Sequence, residues 1–243
     1  VYLLYKIFDR SMMQNLRLRE FMPDRVKYAE ITSQAFPASF ALLINFASGF
    51  VVQFALKDYG ESALAAYGIS LRIEQLFLLP AIGITIALVP IAAQNYGAGH
   101  HLRVRQSFRR CWTLGVIATT CAFPFLWFGG GFATSLFSSD PEVIRIGALF
   151  LKVEAVVLPL YVVLFSVNSL LQALKKAVWT MWIGIYRQGI GIALFIWLFT
   201  RVFDWELTGV RAGIAVAVGT GLIVSLVVVR RIAREKIGGL AVS

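Results

Sequence analysis

Charge is scarce in this sequence. Asp and Glu number 13 and Lys and Arg 23 among 243 residues, or 15% in all, where a soluble globular domain carries roughly 25%. A chain that is 58% hydrophobic and so poor in charge has nothing with which to cover a surface in water, which excludes a soluble fold. Acid is scarcer than base, leaving a net charge of +10. A nucleic-acid footprint would need the Lys and Arg gathered on one exposed face. Here they sit in the gaps between apolar runs, so no nucleic-acid partner is expected. Cysteine and histidine number only two each. Cys111 and Cys121 show no CxxC spacing and have no His at ligand spacing, so both read as small packing residues and no metal site is expected. His100 and His101 form a solvated pair beside a helix end. No span holds a Ser–His pair or a His-Glu-x-x-His run, and Gly97-Ala98-Gly99 lacks the Lys-Ser/Thr of a P-loop. Catalytic residues, an enzyme activity and a nucleotide cofactor are therefore not expected.

What the sequence has in abundance is long apolar runs. Six meet the requirement of roughly 17 to 25 mostly apolar residues for crossing a bilayer: 34–56 (A), 63–96 (B), 107–128 (C), 142–173 (D), 177–200 (E) and 207–230 (F). Hydrocarbon leaves backbone polar groups no partner, and the alternation of barrel strands is absent, so these runs must be helices. The expected fold is all-α, a polytopic bundle of six transmembrane helices spanning residues 34–230. Residues 1–8 are apolar but too short to span and read as the end of a preceding membrane helix. Residues 9–33 then form a cytoplasmic connection and 231–243 a cytoplasmic tail, and the chain reads as a fragment of a longer one. Lys and Arg gather in 6–33, in the B–C loop (Arg103, Arg105, Arg109, Arg110), at Lys175-Lys176 and in the tail, while the opposite loops hold little beyond Lys57 and Arg201. The excess of cationic residues on one side predicts that both ends of the chain face the cytoplasm.

Local signals agree with these limits. Gly97 and Gly99 follow helix B, where positive φ closes a helix. Ser139-Asp140-Pro141-Glu142 opens helix D with a capping side chain, a first-turn proline and an acid against the positive end of the dipole. Gly209 and Gly213 make a small-xxx-small step on helix F. Pro37, Pro80, Pro90, Pro124 and Pro159 fall inside spans, either tolerated as in many membrane helices or kinking them around a cavity.

Ionisable groups inside a membrane are costly, so each is a functional candidate. At about 1.5 Å per residue, Glu74 and Glu154 lie roughly 16–18 Å from one side and Arg187 roughly 15 Å from the other, so all three reach the midplane. Neighbours at helical spacing extend the pattern. Tyr67, Ser70 and Glu74 share a face of helix B, continued by Thr85. Glu154, Tyr161, Asn168 and Gln172 form one stripe along helix D. Asn45 and Ser48 repeat it more weakly on helix A. One reading is a water-accessible cavity in which Glu74 or Glu154 exchanges a proton or holds a cation, with Asn45, Tyr67, Ser70, Tyr161, Asn168, Gln172 and Arg187 on its walls. The other is a structural ion pair of Glu74 or Glu154 with Arg187. Arg72 and Lys152 lie off these faces and read as snorkelling or lipid-binding cations.

The run Leu71-Arg72-Ile73-Glu74-Gln75, Leu79-Pro80-Ala81-Ile82-Gly83 and Gln94-Asn95-Tyr96-Gly97-Ala98-Gly99, followed by Arg103-Val104-Arg105, resembles the multidrug and toxic compound extrusion (MATE) family. Phe137-Ser138-Ser139-Asp140-Pro141-Glu142-Val143 is similar to the start of that family's tenth helix. The resemblance implies helices seven to twelve of a twelve-helix transporter, its C-terminal lobe, with the N-terminal lobe missing. It further implies export of cationic or amphiphilic drug-like substrates across the plasma membrane, antiported against H+ or Na+ by alternating access, with no cofactor beyond the coupling ion. Glu74 matches a carboxylate position on the eighth helix of some members. The seventh-helix acid of one branch has no counterpart on helix A, where Asn45 is the closest polar group. Two other readings are open: a lipid-linked sugar flippase of the same superfamily, which calls for more cationic side chains in the cavity, and a non-transporting structural membrane subunit, which calls for helices apolar all round.

Overall fold

The computed structural model describes residues 24–241. The predicted helix end at 1–8 and most of the predicted connection at 9–33 lie outside the described residues. Two units are distinguished, Val1–Ser33 and Gln34–Ser243, and everything below from Gln34 onward belongs to the second.

Six helices are long and apolar enough to cross a membrane. They are α1 (Arg25–Leu56), α2 (Glu61–Gly97), α3 (His101–Ser135), α4 (Pro141–Ala173), α5 (Ala177–Val202) and α6 (Glu206–Ile237). Each contains its predicted span, and several run further. The 35 residues of α3 extend about 52 Å, against a hydrocarbon core of about 30 Å. Arg103, Arg105, Arg109 and Arg110, predicted as loop, therefore ride on the first turns of α3 past the apolar layer. At its other end Gly129-Gly130-Gly131 does not stop the helix, because breaking it in hydrocarbon would strand backbone groups without partners. The same extension starts α1 at Arg25 and carries α6 through Arg230, Arg231 and Arg234, so much of the predicted tail is helical. The five prolines likewise stay inside continuous helices.

The predicted helix ends are recognisable. The Asp140 Oδ1 accepts the Glu142 N–H at 2.8 Å, directly before Pro141 at the first helical position. Gly99 takes φ 74° just past α2, where its N–H donates to the Tyr96 carbonyl at 3.1 Å. Gly97 is the last helical residue and has ordinary φ.

The core forms between helices rather than on one hydrophobic side, as membrane packing requires. Leu88, Val104, Leu170, Leu171 and Val229 bring α2, α3, α4 and α6 together near one end. Val52, Tyr67, Phe150, Ile196 and Val210 join α1, α2, α4, α5 and α6 near the other. Cys111 is buried in the first of these clusters as a packing residue, its Sγ 3.5 Å from Ser166 Oγ. Cys121, predicted to pack as well, is exposed on the outside of α3.

At the α5–α6 contact the two backbones approach closely. Gly209, Gly213, Ala217, Gly221 and Ser225 recur every four residues along α6, and all are buried. A Cβ on Gly213 would stand 2.8 Å from the Ile196 nitrogen, and one on Gly209 2.9 Å from the Phe199 carbonyl carbon. Small residues at this spacing let two backbones touch. Opposite them α5 widens twice into π turns, at Ile185–Gly191 and Leu198–Val202. The Ile192 N–H, for example, donates to the Arg187 carbonyl, five residues back.

Candidate functional site

The candidate site is a hollow bounded by α1, α2, α4 and α5, with Ile214 of α6 at its edge, resolved into two adjoining chambers of about 350 and 430 Å³. Asn45, Ile82, Phe165, Arg187 and Gln188 line both. Each volume falls within the roughly 300–1,000 Å³ of small-molecule sites.

Glu74, Gln75 and Tyr67 from α2 reach the first chamber, as do Glu154 and Tyr161 from α4. Glu74 is 7% exposed and Glu154 4%. Both carboxyl groups face this chamber together with Arg187. No ion-pair contact joins either acid to Arg187 among the described residues, so the structural ion pair that the sequence left open is not formed. The Arg187 guanidinium instead stands over the Tyr161 ring, 5.5 Å from its centroid, a cation–π arrangement. Glu154 Oε2 is buried with no hydrogen-bond partner among the described residues. A buried carboxylate oxygen without a donor is costly, and a proton, a cation or a ligand N–H would each satisfy it.

The second chamber carries a different chemistry. Thr85, Asn168, Ser169, Gln172 and Thr180 line it beside the shared Arg187. Among the described residues no acid faces it. The polar stripe predicted along α4 is thus divided, Glu154 and Tyr161 in the first chamber, Asn168 and Gln172 in the second. Asn168 Oδ1 is buried without a hydrogen-bond partner among the described residues.

Arg187 and Gln188 owe their position to the first π turn. Gly191 is required there, since a Cβ would stand 2.9 Å from the Tyr186 carbonyl oxygen. On the far side, Gly221 of α6 leaves a notch for the Arg187 stem, whose Cδ would be 2.6 Å from a Cβ at that position. The Gln188 Nε2 donates to Asn45 Oδ1, which ties α5 to α1 across the hollow. Asn45 itself is exposed on its open side.

Of the predicted site residues, Asn45, Tyr67, Glu74, Glu154, Tyr161, Asn168, Gln172 and Arg187 meet at the hollow. Ser70 does not. Its hydroxyl donates to the Ala66 carbonyl at 2.8 Å and to the Gly147 carbonyl at 3.3 Å, so it joins α2 to α4 and faces neither chamber. Arg72 and Lys152 are exposed, consistent with their reading as peripheral cations. Sequence reasoning missed Gln75, Gln188, Ser169 and Thr180. Thr180, Arg187 and Gln188 stand at i, i+7 and i+8, one face of a helix, and that spacing was a usable signal.

The family model described as MatE matches residues 37–197. The chain is 27% identical over 204 residues to the multidrug export protein MepA of Staphylococcus haemolyticus, covering 84% of this chain and 44% of that protein. It is 31% identical over 121 residues to the FAD transporter of Shewanella oneidensis, covering 50% of this chain and 27% of that protein. A crystal structure of a MATE protein in its bent conformation superposes with a TM-score of 0.87 at 19% identity, over 96% of this chain and 52% of that one. The chain therefore spans about half the length of the relatives it matches most fully. With the membrane spans, the family match and the superposition in agreement, the chain belongs to the MATE family of multi-pass membrane transporters, and its six helices make the C-terminal lobe of that fold.

Proposed function

We propose that this lobe is half of a secondary exporter that moves cationic or amphiphilic drug-like molecules out of the cell against inward H+ or Na+, with both chain ends cytoplasmic and the plasma membrane as its site. One observation carries the reading: two buried acids, Glu74 and Glu154, face one cavity inside a membrane-spanning bundle, and one of them keeps an unpartnered oxygen. In hydrocarbon such a pair is expensive and persists where it binds something. Two carboxylates facing one chamber hold a proton or cation more readily than either alone. When substrate enters, its positive charge competes for the same carboxylates, and release of one is tied to uptake of the other. That exchange supports antiport by alternating access. The cavity's single cation, Arg187, among the described residues argues against a site built to hold pyrophosphate, as a lipid-linked sugar flippase requires.

The test is ethidium efflux from vesicles containing the full-length protein, driven in turn by a pH gradient and by a Na+ gradient. Glu74→Gln and Glu154→Gln are each expected to lower gradient-driven efflux at least about tenfold while the protein remains folded by its melting temperature. Unchanged efflux in both variants would remove the pair from the coupling site.

A further inference from the structure

We infer that the two chambers together form a two-pole site that selects zwitterionic amphiphiles, with a cationic group held by Glu74 and Glu154 and an anionic group held by Arg187 and the amides of the second chamber. The inference rests on the export reading and adds a substrate class to it.

The two chambers have opposite chemistry. The first contains both acids. The second adds Asn168, Gln172, Ser169 and Thr180 to the shared Arg187, and no acid faces it among the described residues. Arg187 is 5% exposed and makes no ion-pair contact with either acid among the described residues. Its charge is therefore not cancelled by a partner at contact distance. The Tyr161 ring lies 5.5 Å from its guanidinium carbon, and a guanidinium's planar set of N–H donors is the geometry that takes a carboxylate or phosphate in two parallel bonds. Asn168 lines the second chamber with Arg187, its amide among the polar groups there. The amide nitrogen supplies two N–H donors to an anion.

The poles are offset along α4. Tyr161, beside Arg187, stands seven residues from Glu154, on the order of 10 Å along the helix. A guest that carries both charges meets both poles at once. One with only a positive charge leaves Arg187 buried and unpaired, and the penalty for that is what makes a polar site discriminate.

A matched dye pair tests this. Tetramethylrhodamine carries a cationic xanthylium and a free carboxylate, and its methyl ester carries the cation alone. Binding of each to the purified full-length protein is read by fluorescence anisotropy. Arg187→Gln and Asn168→Asp are each expected to raise the ratio of acid Kd to ester Kd about tenfold, and Arg187→Lys, which keeps the charge, by less than half as much. A ratio unchanged within twofold in both Arg187→Gln and Asn168→Asp overturns the proposal, as does failure of the wild type to bind the acid. Should Arg187→Gln fail to fold, Asn168→Asp and Arg187→Lys decide alone. If the wild type binds both dyes with the expected ratios yet vesicles show no gradient-driven efflux, the export reading falls and the two-pole site stands.

Discussion

The hollow has two walls made on opposite plans. On one side α5 lies backbone to backbone on the small-residue ladder of α6, with Gly209 against Phe199 and Gly213 against Ile196, while Gly221 meets the Arg187 side chain. On the other, α1 contributes Pro37, Val52 and Leu56 as its buried residues among those described, while Phe36, Leu43, Phe46, Phe50 and Phe54 are all more than 60% exposed. Lipid tails are as apolar as Phe or Leu, so an exposed apolar face costs little in the membrane, and helix association depends on close packing. The difference teaches where rigidity lies. The wall that carries Arg187 and Gln188 is fixed at Gly209 and Gly213 by backbone contacts that no side chain can relax. The wall that carries Asn45 is held by few packed residues and by polar ties, Asn45 to Gln188 and Gln34 Oε1 accepting the Ala177 N–H at 3.3 Å.

The comparison is broken most directly at Gly213. A valine there must drive its Cβ into the Ile196 nitrogen, Cα and Cγ1, all within 2.9 Å. Two of those atoms are backbone, so the helices must part. Overpacking typically costs 1–3 kcal/mol, and Gly213→Val is expected at about 3 kcal/mol or beyond. Its readout is the melting temperature and folded yield of the purified full-length protein. A melting temperature equal to wild type would mean that α5 and α6 do not approach so closely.

That ladder shows how far the sequence could be read. The Gly209–Gly213 step was visible, and so was its continuation through Ala217, Gly221 and Ser225, but nothing in the spacing says which helix lies against it. The six spans were legible because hydrocarbon leaves the backbone no alternative to helix, and the Asp140-Pro141 cap because its chemistry is local. Helix ends were not, since α3 and α6 run on into water where the apolar signal has stopped. Glu74, Glu154 and Arg187 were found by cost: a charge in a long apolar run stands out. Gln188 was overlooked because an amide is cheaper there, and Ser70 was misassigned because a face shared with Glu74 extends beyond the cavity into the α2–α4 contact. The π turn that aims Arg187 and Gln188 at the hollow follows from packing against α6 and left no mark that period counting detects.

A smaller effect sharpens the same contrast. Gly221→Ala places a methyl 2.6–3.0 Å from the Arg187 Cδ, Cγ and Cβ. A side chain can give where a backbone cannot, so the expected cost is about 1–2 kcal/mol, within the usual range for overpacking. The guanidinium must shift with its stem, so the acid-to-ester binding ratio should rise a few-fold. Gly219→Ala is the control, with open space around the new methyl and a residue that suits a helix better than glycine. If both variants melt and bind alike, the Gly221 notch does not set the position of Arg187.

The smallest effect belongs to α1. Phe50 is 72% exposed and Val52, two residues on, is 2% exposed among Tyr67, Phe150 and Ile196. In water the larger side chain would dominate. In a bilayer or micelle, Phe50→Ala exchanges contacts with lipid for contacts with more lipid and should stay within about 0.5 kcal/mol of wild type, as surface substitutions do. Val52→Ala removes buried contacts and leaves a space that rigid neighbours cannot fill, so the smaller truncation should lower the melting temperature more. The order of the two is the diagnostic. If Phe50→Ala costs as much as Gly221→Ala in the full-length protein, its exposed face is covered by protein and α1 is fixed as firmly as the wall opposite.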